Sequence, residues 1–167
     1  MAKSKSSFSL TACVTLITSV LAFVMFFLPN MIYKVSLGST EVGRTNASGW
    51  NLFTGVFSLD NANEATKIMF NNGNALAYIA GILLAISAIA VLACAVISLL
   101  KMLGMKVDFS LVGKIALVAS ALMIIAFVMA LIRFGQFQVG EGVLGYGLIV
   151  GLIASIATAV VPMVLKK

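Results

Sequence analysis

The sequence predicts an all-α membrane protein, a bundle of four transmembrane helices with a small β-hairpin and short-helix cap in its first extracellular loop. Three observations lead to this fold class. Hydrophobic residues make up 62% of the 167-residue chain and charged residues only 10%, whereas soluble domains are about a quarter charged. Four apolar runs each have at least 21 residues. Most of the polar sequence lies in a single connection, residues 31–74.

The apolar runs are long enough for helices that cross a bilayer. A span needs about 20 residues for a hydrocarbon core of about 30 Å, and no run has the alternating polarity of a membrane strand. Because backbone polar groups in lipid must pair within the chain, we expect four helices that form one domain, residues 1–167. The predicted spans are residues 8–28, 75–100, 111–132 and 143–165.

The first run follows two lysines, Lys3 and Lys5, as the apolar segment of a signal peptide does. However, its apolar stretch exceeds the usual ~7–15 residues, and no small-residue cleavage site follows it. We therefore expect this run to remain as the first span.

The basic residues predict the orientation of the bundle. The side with both termini carries seven basic residues and one acid, whereas the other side carries four of each. Because cytoplasmic loops are enriched in Lys and Arg, we expect both termini in the cytoplasm and the loop of residues 31–74 outside the plasma membrane. This asymmetry accounts for the net charge of +6, so we predict no nucleic-acid partner.

The outer loop contains the pattern of a hairpin. Residues 33–37 alternate in polarity, and residues 40–46 can return after a turn at Gly38. This arrangement predicts two short strands, with Val42 opposite Val35.

The rest of the outer loop contains two further signals. Residues 49–57 are rich in aromatic residues, including Trp50, which is the only tryptophan and favours the headgroup layer. Asn61 and Glu64 have the spacing of a capping box and predict a short helix that Gly73 can end. We read Trp50 as an interfacial anchor, as part of the loop's own core, or as a contact for a partner or an apolar ligand.

The residue types present exclude most catalytic chemistry. The chain has no histidine and five acids, so no nucleophile with a base and no metal site can be assembled from the sequence. We predict no catalytic residue, no cofactor and no metal, and hence no enzyme. Arg133 and Glu141 flank the short second outer loop, where the two side chains either pair or are solvated; we favour solvated side chains, because exposed ion pairs contribute little.

Small and hydroxyl residues recur at intervals of four in three of the runs. Such stripes let helix backbones approach closely and let hydroxyls bond across the contact. They serve either packing within the bundle or a surface for another membrane protein, and the sequence leaves both open. The residues concerned are Gly81 in the second run, Gly147 and Gly151 in the fourth, and Thr11, Thr15 and Ser19 in the first.

The segment Gly49-Trp50-Asn51-Leu52, in a large first outer loop between four spans, resembles the tryptophan-containing loop of the claudin and peripheral-myelin-protein group of tetraspan proteins. The chain lacks the two cysteines that this group pairs in the loop and a preceding tryptophan. Its layout is also similar to that of small four-span bacterial proteins. The resemblance implies a loop-stabilising role for Trp50 only.

These observations favour a non-enzymatic accessory subunit, assembly factor or oligomeric scaffold that acts through its helix stripes and outer loop. Its partners would be the lipid bilayer and another membrane protein or a second copy. The alternative is a small channel or carrier formed by an oligomer, lined by the hydroxyls of the first span. Hydroxyls facing the bundle interior would indicate packing, and an outward stripe would favour a pore or a partner contact.

Overall fold

The computed structural model describes residues 9–37, 39–60, 62–71, 74–137 and 140–165. The helices are α1 (Leu10–Met25), α2 (Gly49–Phe57), α3 (Glu64–Met69), α4 (Ala75–Met102), α5 (Ser110–Phe134) and α6 (Tyr146–Val164). The strands are β1 (Pro29–Leu37), β2 (Thr40–Ser48) and β3 (Glu141–Leu144). A mainly helical chain with a small sheet is thus confirmed.

Three helices, α4, α5 and α6, are long and apolar enough to cross a membrane. The fourth apolar helix, α1, is shorter, with 16 residues. It begins where the Ser9 hydroxyl accepts a hydrogen bond from the Ala12 N–H, and it ends at Met25, shortly before β1 starts at Pro29. The predicted first span continued to residue 28, so the structure shows three candidate spans where we predicted four.

The long helices form a ring in the order α1–α4–α5–α6, with antiparallel neighbours. Cross-helix bonds fix this arrangement. The Ser87 hydroxyl of α4 donates to the Ala119 carbonyl of α5 at 3.1 Å, and the Thr158 hydroxyl of α6 donates to the Thr18 hydroxyl of α1 at 2.9 Å. Alanines fill much of the space between the helices, so their backbones can approach closely.

Each long helix has large apolar side chains on its outer face. In α4 the buried positions include Ala88 and Val91, whereas Ile82, Ile86 and Ile89 are exposed, Ile89 by 67%. A helix that is apolar on all sides is typical of a membrane span, because lipid covers the face that the bundle does not. On the three helices that are long enough to cross a membrane, the exposed apolar side chains are suited to contact with hydrocarbon.

The strands form one antiparallel sheet in the order β2–β1–β3. The hairpin of β1 and β2 was predicted, but its register differs: Val35 lies opposite Gly43, because a bulge at this point leaves Val42 unpaired. The third strand was not predicted. Val143 and Leu144, which we placed in the fourth span, belong to β3, and α6 begins only at Tyr146.

The two short helices are capped by side chains. The Ser48 hydroxyl accepts a hydrogen bond from the Asn51 N–H at the start of α2, and Asn63 Oδ1 accepts one from the Thr66 N–H at the start of α3. The cap of α3 is thus Asn63. Asn61, for which we predicted this role, lies outside the described residues, as does Gly73.

The connection between α4 and α5 lies at the end of the bundle opposite the sheet and the two short helices. Asp108 Oδ1 accepts hydrogen bonds from the Ser110 hydroxyl at 2.7 Å and the Ser110 N–H at 3.0 Å. The bond from the Ser110 hydroxyl, and to a smaller extent the one from its N–H, lower the pKa of Asp108 below its usual range. The carboxylate therefore stays charged next to the basic residues of this end.

Candidate functional site

The candidate site is the folded cap, which consists of β1, β2, β3, α2 and α3 and lies at one end of the bundle. We call this the cap end. Both connections at this end contribute, because β3 pairs with β1 from Met31 opposite Leu144 to Lys34 opposite Glu141. The hairpin is therefore not isolated, and the third strand gives it the support that a two-stranded ribbon lacks.

The hairpin projects from the rest of the cap. Residues 40–44 of β2 are exposed, and Val42 is exposed by 53%. Lys34 Nζ lies 3.7 Å from a carboxylate oxygen of Glu41 across the hairpin. Closer to the bundle, Asn63 Nδ2 donates to the Asn46 carbonyl at 2.9 Å and covers that part of the β2 edge. The exposed part of β2 is the polar surface that the cap presents to its surroundings.

Asn30 fixes the cap to α1. It is buried, and its side-chain amide donates to the carbonyls of Met25 (3.1 Å), Phe26 (3.3 Å) and Leu28 (2.7 Å). The backbone carbonyl of Asn30 accepts a hydrogen bond of 2.8 Å from the Gly145 N–H. The side chain thus binds three carbonyls at the end of α1, and the backbone of the same residue joins the segment before α6 to them.

A small cavity lies beside Asn30 and is lined by residues of α1, α4, α5 and α6. Its volume of about 10 Å³ is far below that of a site for an organic ligand, and it is lined mostly by apolar side chains such as Phe26, Leu84 and Leu148. This cavity is a packing defect where four helices meet, too small for an organic ligand.

Glycines let α2 pack directly on α4. A Cβ atom at Gly81 would lie 2.9 Å from the Leu52 carbonyl oxygen, which is too close for any side chain at this position. Leu52 itself is fully buried, together with Phe70. Gly81, which we predicted as part of a helix stripe, therefore forms the contact surface for α2 of the same chain.

Trp50 lies on the opposite face of α2 and is exposed by 48%. Its ring centroid lies 6.0 Å from that of Phe27 and 6.1 Å from that of Phe53. Three roles were open for Trp50. Its exposure argues against the one in the core of the loop, which is formed by other residues, Leu52 and Phe70.

Arg133 was expected to be solvated, and this expectation was wrong. The side chain is 7% exposed. Its Nε donates to the Met69 carbonyl and one terminal nitrogen donates to the Ile68 carbonyl, both at 2.9 Å, while the guanidinium lies 4.5 Å from the ring centroid of Phe137. Arg133 therefore joins the end of α5 to the end of α3, where a positive charge is favourable. Glu141 is exposed, as expected.

The remaining stripe residues also have contacts within the chain. A Cβ atom at Gly147 would lie 2.8 Å from the carbonyl oxygens of Met25 and Pro29, and one at Gly151 would lie 3.3 Å from Met25 Cβ, so both glycines lie against the end of α1. The hydroxyl of Thr11 donates to the Leu165 carbonyl at 3.0 Å. Thr15 and Ser19 are fully buried and donate to carbonyls of α1 itself. They therefore form no outward stripe.

Sequence reasoning missed the hydroxyl pairs that join the helices. The hydroxyls of Ser120 and Ser155 lie 3.0 Å apart between α5 and α6, and both residues are buried. Together with the pair of Thr158 and Thr18, they bond three helices through side chains. In the sequence, the four-residue interval of Gly147 and Gly151 continues to Ser155, but nothing in it identified the partner of each hydroxyl.

One buried hydroxyl, that of Thr66, has no hydrogen-bond partner among the described residues. Because a buried unpaired hydroxyl is unfavourable, Thr66→Val should raise the free energy of unfolding by about 1 kcal/mol. Thr158→Val is the matched change at a bonded hydroxyl and should lower it by about 0.6 kcal/mol. Unfolding by SDS in mixed micelles measures both, and effects of the same sign would contradict this account.

Comparison with known protein families, with curated proteins and with solved structures finds no significant match to this chain. The likeness to the claudin group therefore remains one of layout. Within the described residues, no group of three or more His, Cys, Asp or Glu could hold a metal ion.

Proposed function

We propose that this chain is a non-enzymatic plasma-membrane protein that acts as an accessory subunit, an assembly factor or an oligomeric scaffold. It crosses the bilayer four times, with both termini in the cytoplasm, and presents the cap outside. One contrast carries the proposal. The stripe residues contact other parts of the same chain, whereas β2 is exposed at residues 40–44 on a cap that is otherwise tied to the bundle.

The crossing by α1 is supported by its contacts with α6. Near one end of α1, the Thr11 hydroxyl bonds to the Leu165 carbonyl just after α6, and at the other end Met25 lies against Gly147. The two helices thus run side by side over the length of α6, which is itself long enough to span. The outer face of α1 is also apolar, with Ile17 and Val24 exposed by 61% and 45%. A bilayer that covers α6 must cover α1 as well.

The orientation is supported by the charges at the end opposite the cap. Lys101, Lys106 and Lys114 are exposed there, against the single acid Asp108. Loops that carry an excess of lysine remain in the cytoplasm. The cap then lies outside, on the side where positive and negative residues are balanced.

The surface proposed for the partner is the exposed part of the hairpin. Val42 supplies an apolar contact, and Glu41 and Arg44 flank it with opposite charges. The bulge at Val42 interrupts the ladder of β2, and such bulges discourage unspecific edge-to-edge pairing of strands. A partner would therefore bind through contacts with these side chains and not by adding a strand to the edge of the sheet, so binding would depend on the partner's own sequence.

The proposal predicts that the full-length protein, purified in mild detergent with a C-terminal tag, carries a stoichiometric membrane-protein partner or a second copy in its native mass. The double change Val42→Asp with Arg44→Glu should reduce the bound partner about tenfold or more, because it places negative charges in the contact. Native mass spectrometry measures the stoichiometry.

The matched control is Lys106→Glu, which changes an exposed charge at the opposite end of the bundle. It should leave the complex intact. A lone monomer for the unaltered protein, or equal loss of the partner in both variants, would contradict the proposal.

A further inference from the structure

The helix α2 has two distinct faces. Gly49, Leu52 and Gly55 are buried against the rest of the chain. On the other face Trp50 and Phe57 are exposed by 48% and 75%. No residue from 49 to 57 is charged. The helix therefore presents a large apolar surface with no ionic group, which water would cover only at a considerable cost.

Five aromatic side chains, three of them exposed and two half-buried, form a continuous row across two elements. From α1 to the end of α2, successive ring centroids are 5.4, 6.0, 6.1 and 5.2 Å apart. We call these residues the aromatic row: Phe23, Phe27, Trp50, Phe53 and Phe57. The row begins on α1 at the half-buried Phe23, next to Val20 and Val24, which are exposed on the outer face of this helix. It is therefore an extension of an apolar helix face onto the cap.

The depth of α2 follows from its contact with α4. Leu52 of α2 lies against Gly81, the seventh residue of α4. At a rise of about 1.5 Å per residue, this contact is about 9 Å from the start of α4. The helix α2 thus lies beside the first two turns of α4, at the cap end of the bundle, and does not lie above them.

We propose that the aromatic row is a lipid-binding surface, and that α2 is embedded in the leaflet of the bilayer at the cap end. The occupant is phospholipid, whose headgroups meet the Trp50 indole and whose upper acyl segments cover the phenylalanines. Three observations select lipid: the continuity with the outer face of α1, the depth beside α4, and the absence of charge. Aromatic residues of this kind favour the interface of the membrane.

Embedding of α2 has a consequence for the cap. Because α2 connects β2 to α3 and packs on α4, a helix held in the leaflet fixes the height of the hairpin above the membrane. The lipid surface and the exposed part of β2 are then separate: the first faces the bilayer and the second faces the aqueous phase. The inference goes beyond partner binding and does not depend on it.

Trp50 is the only tryptophan, so the fluorescence of the full-length protein reports this one position. We expect that phosphatidylcholine vesicles with brominated upper acyl segments quench Trp50 about two-fold or more relative to unbrominated vesicles. Iodide, present on both sides of the membrane so that the orientation of the protein does not matter, should quench it little.

Two variants without Trp50 provide matched reporters. Val42→Trp in a Trp50→Phe background places the reporter on the exposed hairpin and should be quenched by iodide and not by brominated lipid. Ile86→Trp in the same background places it on the outer face of α4 and should be quenched by lipid alone. If Trp50 behaves like the hairpin reporter, the proposal is overturned. Protection of Trp50 from both quenchers would overturn it too, because it would show that protein covers the row.

Discussion

Replacing Gly147 with alanine is expected to lower the free energy of unfolding by about 2–3 kcal/mol. A Cβ atom at this position would lie 2.8 Å from the carbonyl oxygens of Met25 and Pro29 and 2.9 Å from that of Leu28. These are backbone atoms, and Asn30 holds two of these residues, Met25 and Leu28, by hydrogen bonds to their carbonyls. The added methyl group can be accommodated only if α6 moves away from α1.

Two other glycines serve as matched controls for this change. At Gly43 a Cβ atom would have no neighbour within 4 Å, so Gly43→Ala should leave stability unchanged or raise it slightly by restricting the unfolded chain. At Gly151 the nearest atom is Met25 Cβ at 3.3 Å, and an intermediate loss is expected. SDS unfolding in mixed micelles, followed by far-ultraviolet circular dichroism, gives the ranking. A loss at Gly147 no larger than that at Gly43 would contradict the close packing of α1 and α6.

The long helices could be predicted because their signal is local. For α4 and α5 the apolar runs place both ends within two residues of those observed, since hydrophobicity over about 20 residues is sufficient to identify a span. The hairpin was also visible, because alternation over a few residues and a turn lie next to each other in the chain. Its register was not, because the bulge at Val42 depends on contacts that alternation does not describe.

The third strand could not be predicted, because its partner is distant in sequence. Residues 141–144 continue directly toward the apolar run of α6, and only pairing with β1, more than 100 residues earlier, makes them a strand. The candidate site has the same difficulty. Small side chains recur at intervals of four both where helices pack within a chain and where they bind another chain, so the sequence pattern does not distinguish these two roles. Only the atoms that lie opposite Gly81 and Gly147 in the structure do so.

Arg133→Met is expected to lower the free energy of unfolding by about 3 kcal/mol, because it removes two hydrogen bonds from a charged donor at a buried site. The carbonyls of Ile68 and Met69 would then be left without these donors at the end of α3. Arg44→Met is the matched control, since Arg44 is exposed on β2 and its replacement should change stability by less than about 0.5 kcal/mol. Equal losses in the two variants would show that Arg133 does not join α5 to α3.

Arg133→Lys separates charge from geometry. A lysine keeps the positive charge near the end of α3 but cannot reproduce the two parallel N–H groups, so its stability should fall between those of the native protein and Arg133→Met. Hydrogen exchange read by mass spectrometry locates the effect. If exchange in Arg133→Met increases at residues 64–71 while α4 and α5 stay protected, the cap opens as a local unit whose attachment depends on this arginine. Faster exchange throughout the bundle would instead mean that the cap and the helices unfold together, and that Arg133 stabilises both.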